Sequence, residues 1–175
     1  NEKAHSADYG DGRKSRPARP SHADYTGFCK YEGYEDYRGG GHFSGRITAP
    51  LVAAGAILAR ALEGRGIYIG THILHAAGVD DRRFADYAKE FTYLDSAEFP
   101  VLDAEAGALI RGEILKAAAD GDSIGGILET AVTGLPAGVG EPWFDTLEGM
   151  LAHAVFAIPA VKGIQFGGGF ALADL

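Results

Sequence analysis

Apolar and polar positions alternate or recur along most of the chain, and the rhythm changes from segment to segment. Leu51 to Leu62 is a small-residue apolar run whose interior breaker is Gly55. Thr48 in front of it can cap and Pro50 suits a first turn, so the run predicts a helix. Gly66 to His75 (GIYIGTHILH) alternates and is β-branched, which predicts a strand. The charged and aromatic stretch 78–99 predicts a surface insertion with one short helix over Phe84 to Glu90. Asp103 then caps a helix to about Ala119, with Leu109, Ile110, Ile114, Leu115 and Ala118 as its apolar side and Gly121 as its stop. Ser123 to Gly134 predicts a second strand, whose glycine pair marks a bulge or a close backbone approach. Residues 135–142 turn the chain, and Asp145 with Glu148 frames a variant capping box. Leu147, Met150, Leu151, Ala154, Val155 and Ile158 keep a helical rhythm that Pro159 ends. Val161 to Phe166 predicts a third strand running into Gly167-Gly168-Gly169. The pattern is α+β.

Composition narrows what such a chain does. The 175 residues suit a single domain with a sizeable core. A hydrophobic content of 46 % with nine Phe, eight Tyr and one Trp is that of a globular protein. A net charge of −8 disfavours nucleic acid, which needs a basic face. The single Cys29 excludes an internal disulfide and is compatible with a reducing cytoplasm. No apolar run reaches the roughly 18 residues of a membrane span, and no signal-peptide pattern opens the chain. It begins at Asn1 without a methionine and ends directly after a glycine-rich stretch, as if cut at both ends.

The 26 glycines are about twice the usual share and are clustered. The densest cluster, Arg38-Gly39-Gly40-Gly41-His42-Phe43-Ser44-Gly45-Arg46, runs straight into the first helix. Free loop amides, a hydroxyl, a cation and a helix N-terminus together make a seat for an anion. The same residues also suit a plain turn before a core helix. Residues 1–18, with Arg13, Lys14 and Arg16, read as a mobile loop that either recruits anions or is simply solvated. In Arg19-Pro20-Ser21-His22-Ala23-Asp24, Pro20 holds Arg19 out of helix and presents Arg19 and His22 from a turn. Asp24 is placed either to orient His22 or to cap a short helix through Phe28. An imidazole near an arginine and a carboxylate can exchange a proton near neutral pH. His72 and His75 form an H-x-x-H pair, but residues three apart on a strand face opposite sides, so without a bulge they share no metal. The acidic and thiol ligands that a metal would need are missing nearby in sequence.

Five stretches resemble chorismate synthase signatures, in family order. They are RPSHADYT (Arg19 to Thr26), KYEGYEDYRGGGHFSGRITAPLVAAGAI (Lys30 to Ile57), GDSIGGILE (Gly121 to Glu129), GLPAGVGEPWFD (Gly134 to Asp145) and IPAVKGIQFGGGF (Ile158 to Phe170). The resemblance implies a layer of long helices between two antiparallel sheets, a cytoplasmic homotetramer, and no nucleic-acid or membrane partner. It implies a 1,4-elimination that converts 5-enolpyruvylshikimate 3-phosphate to chorismate and phosphate. It implies reduced FMN as the cofactor, regenerated with NADPH in bifunctional members. His22 matches an active-site histidine that protonates reduced flavin or holds its ionisation state. His42, Phe43 and Ser44 match a segment contacting FMN, with His42 replacing the arginine of many members. Arg46, and more weakly Arg19, match residues directed at the substrate's negative groups. Ala160 matches a residue beside the flavin ring, and Pro159 stands where many members have asparagine. Family members are about twice this length, so the chain is expected to be a central fragment with little turnover of its own. The open alternative is a non-catalytic oligomerisation scaffold or a module that binds a phosphate-bearing ligand.

Overall fold

The alternation of Tyr68–Ala76 forms the central strand β1 of a three-stranded antiparallel sheet. The computed structural model of the chain describes residues 18–36 and 38–175. The mobile-loop reading of 1–18, including Arg13, Lys14 and Arg16, therefore falls outside the described residues except for Ala18. The described residues fall into two compact units, one of residues up to 54 together with 148–175, the other of residues 55–147.

In the second unit β1 lies between β2 (Val79–Asp80) and β3 (Gly126–Thr133). A two-residue turn joins β1 to β2: Ala77 and Gly78 both take positive φ, 51° and 83°, the twist that an antiparallel hairpin favours. Tyr68 opposes Thr133, Ala76 opposes Gly126, and the register slips between Ile73 and His75. The extra residue, Leu74, bulges out, and its carbonyl accepts from the Asp81 N–H at 2.8 Å. At the other end of the pair, a Cβ on Gly134 would stand 1.9 Å from the Gly66 carbonyl oxygen, so only glycine lets the strands close there.

Two helices cover this sheet. The short helix α3 spans Tyr87–Leu94, a few residues later than the aromatic stretch predicts, because Asp86 caps it by accepting from Lys89 N. Phe91 of α3 lies against Gly70 of β1. The longer α4, Ala104–Ala119, starts where predicted: Asp103 Oδ1 accepts from the Glu105 and Ala106 amides, both at 2.9 Å. Gly121 ends it at φ 71°. Its buried face is Ala106, Gly107 and Ile110, while Leu109 and Leu115 are mostly exposed. The apolar side expected from sequence is thus corrected; the helix is apolar almost all round, and periodicity alone does not select the buried stripe. Ile110 joins Ala76 and Val101 in the core, with Ile73, Val79, Phe99 and Ile124 packed around them.

The described residues of the first unit form helices and turns. It contains α1 (Asp24–Tyr31), 3₁₀ turns over Arg38–Phe43 and Gly45–Ile47, and a further 3₁₀ turn over Gly169–Asp174. The boundaries between the units fall within α2 (Thr48–Glu63) and at the start of α5 (Leu147–Val155). Thr48 does not cap α2. It is the first helical residue and donates its hydroxyl to the Gly45 carbonyl at 2.6 Å, because the preceding 3₁₀ turn already feeds the helix. By length and composition alone, Gly45–Glu63, 19 residues at mean hydropathy 1.3, is long and apolar enough to cross a membrane, contrary to the sequence reading. A single such helix meets the same test when it belongs to the core of a larger protein.

Two more expectations are corrected. Helix α5 stops at Val155, short of Ile158 and Pro159, in a series of turns where Ala160 takes φ 70°. Val161 to Phe166 is irregular rather than a strand. A strand needs a neighbour for its amides and carbonyls, and no strand among the described residues pairs with it.

Candidate active site around His22

The turn before α1 gathers three chemically active side chains within six residues. Ser21 takes φ 58° and His22 N donates to the Arg19 carbonyl at 3.2 Å, which folds His22 back over Arg19. The Arg19 guanidinium grips Asp24 at both ends: Nε donates to Oδ2 at 2.8 Å and Nη2 to Oδ1 at 2.9 Å. The Arg19 amide adds a third bond to Oδ2 at 3.0 Å. Oδ1 also lies 2.7 Å from Nδ1 of His22. The bonds from the Arg19 side chain, working against burial, hold the Asp24 carboxyl well below the usual carboxylate range. Asp24 does not cap α1, whose N-cap Ala23 has no side-chain bond; its carboxylate is instead held by Arg19, with Oδ1 beside His22.

Arg19 Nη2 is 3.1 Å from both ring nitrogens of His22. Equal distances place it over the face of the ring, since an in-plane position would drive it into Cε1. The glycine loop closes on the same ring. A Cβ on Gly40, which has φ 85°, would stand 3.1 Å from His22 Nε2 and 3.4 Å from Arg19 Nη2. On Gly41, at φ 49°, it would stand 2.2 Å from the Asp36 carbonyl oxygen. Both positions therefore require glycine, one for approach to His22 and one for the turn itself.

The remaining predicted residues follow on the same loop. Phe43 packs on α1: a Cβ on Gly27 would meet its ring at 2.7 Å, and its centroid is 6.3 Å from that of Tyr31. It remains 39 % exposed. His42 is exposed, Ser44 Oγ accepts from Arg46 N at 3.3 Å, and Arg46 is exposed just ahead of α2. Pro159 and Ala160 stand on another element, the turn after α5, and both are exposed.

A second polar cluster, in the other unit, centres on His72, which the sequence marked only as half of an H-x-x-H pair, without its carboxylate partners. His72 is fully buried in β1, with Nδ1 2.9 Å from Asp81 Oδ2 and Nε2 3.0 Å from Glu129 Oε2. Both ring nitrogens of His72 thus face carboxylate oxygens, one from the hairpin side and one from β3. Asp81 also accepts from the amides of Arg82, Leu102 and Asp103, at 2.9, 2.6 and 2.9 Å. Glu129 accepts from Phe84 N at 3.1 Å and from the Arg83 guanidinium at 2.7 Å. Burial pushes Glu129 up, yet the His72 bond, the Phe84 amide and Arg83 outweigh it and leave its carboxyl below the ordinary value. Phe84 stacks edge-on to His72 at 4.7 Å, and Arg82 pairs with Glu90. Asp81, Arg83 and Phe84 thus tie the segment after β2 to His72 and Glu129 of the sheet. The sequence reading found no acidic residue near the H-x-x-H pair, but the hairpin and β3 bring them in. His75 takes Asp80, 2.7 Å away, so each histidine has its own carboxylate partners. No group of three His, Cys, Asp or Glu among the described residues is arranged to hold a metal.

Comparison with known proteins is consistent across the chain. A family model described as chorismate synthase matches residues 1–175. The chorismate synthase of Korarchaeum cryptofilum is 43 % identical over 162 residues, which cover 92 % of this chain and 44 % of that protein. That of Dehalococcoides mccartyi is 46 % identical over 159 residues, covering 90 % of this chain and 43 % of the relative. That of Pyrococcus abyssi is 44 % identical over 164 residues, covering 92 % and 44 %. A solved structure described as a chorismate synthase superposes with a TM-score of 0.72 at 28 % identity, over 85 % of this chain and 48 % of that one. The chain spans less than half the length of these curated relatives. It belongs to the chorismate synthase family.

Proposed function

We propose that the protein carrying this chain converts 5-enolpyruvylshikimate 3-phosphate to chorismate and inorganic phosphate. In this 1,4-elimination the carbon–oxygen bond to phosphate and one ring carbon–hydrogen bond break, the ring gains a double bond, and hydrogen leaves as a proton. Reduced FMN, when bound, would lend electron density that helps phosphate depart, with NADPH as the reductant in bifunctional members. The observation that carries this reading is the approach of Gly40 to His22 in a chain of this family.

The residues present fit a planar, anionic cofactor. Gly40 leaves space beside an imidazole that a Cβ would fill, and Phe43 offers a partly exposed ring steadied on α1. In this reading His42, Phe43 and Ser44 hold the flavin from one loop, and Pro159 and Ala160 border it from another. His22 exchanges a proton at its ring nitrogen and keeps the site in the right ionisation state. Arg46 faces the anionic groups of the substrate, where a fixed cation stabilises charge developing on the departing phosphate. Arg19, held by Asp24, adds positive charge beside His22.

The reading also carries a cytoplasmic location and assembly as a homotetramer. What supports assembly is α2, where Leu51, Val52, Ile57 and Leu58 are each more than half exposed. The 175 residues alone are proposed to turn over little, because they span less than half of their relatives.

The test is a titration of the chain with FMN, followed by flavin fluorescence, with and without 5-enolpyruvylshikimate 3-phosphate. Saturable binding that tightens with substrate supports the reading. Absence of binding at high micromolar flavin overturns the assignment of a flavin site to these residues and leaves the scaffold alternative.

A further inference from the structure

In the second unit, helix α4 and the segment before it border a cavity of about 340 Å³. Buried Val101 is part of its wall. Gly107 lets the helix come this close, since a Cβ there would stand 2.6 Å from Val101 Cγ2. One turn further along the same face, Arg111 places its guanidinium over the Phe99 ring, with Cζ 4.3 Å from the centroid. Glu98 lines the same cavity. Among the described residues the side chains of Glu98 and Arg111 have no ion-pair partner, and they do not pair with each other. We propose that this cavity binds a zwitterionic α-amino acid with a compact apolar side chain, its carboxylate on Arg111 and its ammonium on Glu98. The site is independent of the elimination proposed above.

Each part of the ligand answers a feature of the wall. The Phe99 ring steadies the Arg111 guanidinium, whose N–H groups have no acceptor among the described residues. A guanidinium edge matches a carboxylate with two parallel hydrogen bonds, and holding the fork in place lowers the entropy lost on binding. Glu98 decides what kind of carboxylate is taken. A plain anion gains attraction from Arg111 and meets repulsion from Glu98, whereas an ammonium one carbon from the carboxylate turns that repulsion into attraction. A zwitterion thereby bridges two charged groups that do not reach each other. The same pairing of charges disfavours a phosphate, so this is no second seat for the proposed substrate. Val101, Ala104 and the edge of Phe99 supply an apolar wall for the side chain. The volume lies at the small end of the range of about 300–1,000 Å³ for ligand pockets, which suits a single amino acid.

The test is calorimetric titration of the intact protein with L-leucine. Two matched controls are 4-methylpentanoate, which lacks the ammonium, and leucinamide, which lacks the carboxylate. L-Leucine is expected to bind saturably with a Kd of about 1 mM or below, and each control about tenfold or more weakly. Arg111→Gln is expected to weaken L-leucine about tenfold or more. Glu98→Gln, at an exposed loop position, is expected to reverse the preference, so that 4-methylpentanoate binds at least as tightly as L-leucine. A merely structural role for Glu98 would lower both affinities together and leave their order unchanged. No saturable heat with L-leucine up to about 20 mM overturns the proposal. So does equal affinity for L-leucine and the controls, and so does binding that neither substitution moves.

Discussion

Phe91 of α3 lies flat against Gly70 of β1, where a Cβ would stand 2.1 Å from Phe91 Cδ1. The sheet thus has a notch at Gly70 that the aromatic ring fills. Gly70→Ala forces the ring and its helix outward, and overpacking of this kind costs about 1–3 kcal/mol. The expected outcome is a lower urea midpoint with an unchanged slope. An unshifted midpoint would mean that α3 is free to move aside.

Glu129 links the sheet to the segment over it, and its bonds set a pH dependence. Its folded value lies below the ordinary carboxylate value of 4.5, so its contribution is present above that pH and is lost as pH falls through the folded value. Glu129→Gln removes charged hydrogen bonds to His72 and Arg83 and is expected to cost about 1–3 kcal/mol at neutral pH. Its stability gap to wild type should hold steady above about pH 5 and narrow below it. Urea denaturation from pH 3 to 8 checks this. A gap that widens in acid would reverse the assigned sign.

Asp103 caps α4 with one carboxylate oxygen on two amides. Asp103→Ala is expected to lose about 1 kcal/mol, with amide exchange accelerated at Glu105 and Ala106 before the rest of the helix. Uniform acceleration along the whole of α4 would instead point to its packing.

His22→Ala in the intact enzyme is expected to lower turnover by about 10²- to 10⁴-fold, with flavin affinity changed only severalfold. Steady-state kinetics and flavin fluorescence measure the two separately. Equal losses in both would place His22 in cofactor binding.

How much of this was legible along the chain depends on how far each feature reaches. Alternation marked β1, and the Asp103 and Gly121 signals marked both ends of α4, because these depend on neighbours a few residues away. The link from Asp24 to His22 was legible for the same reason. The partners of His72 were not: Glu129 is 57 residues away, and Asp81 arrives only after a hairpin reverses the chain. Val161 to Phe166 has the composition of a strand, but no strand pairs with it among the described residues. The buried face of α4 was hidden by an excess of apolar positions, of which packing selects Ile110 and leaves Leu115 out.

The bonds among Arg19, His22 and Asp24 span at most five residues of chain, whereas Thr71 and Thr130 meet across 59 in the pairing of β1 with β3. Closing a short loop is fast and loses little entropy, while a sheet between distant segments forms late. The histidine turn is therefore expected among the first structures to appear during folding, ahead of the sheet. Its geometry is written into a local cassette, which makes it portable: a peptide of residues 18–31 is the minimal unit in which the orientation of His22 could already be set.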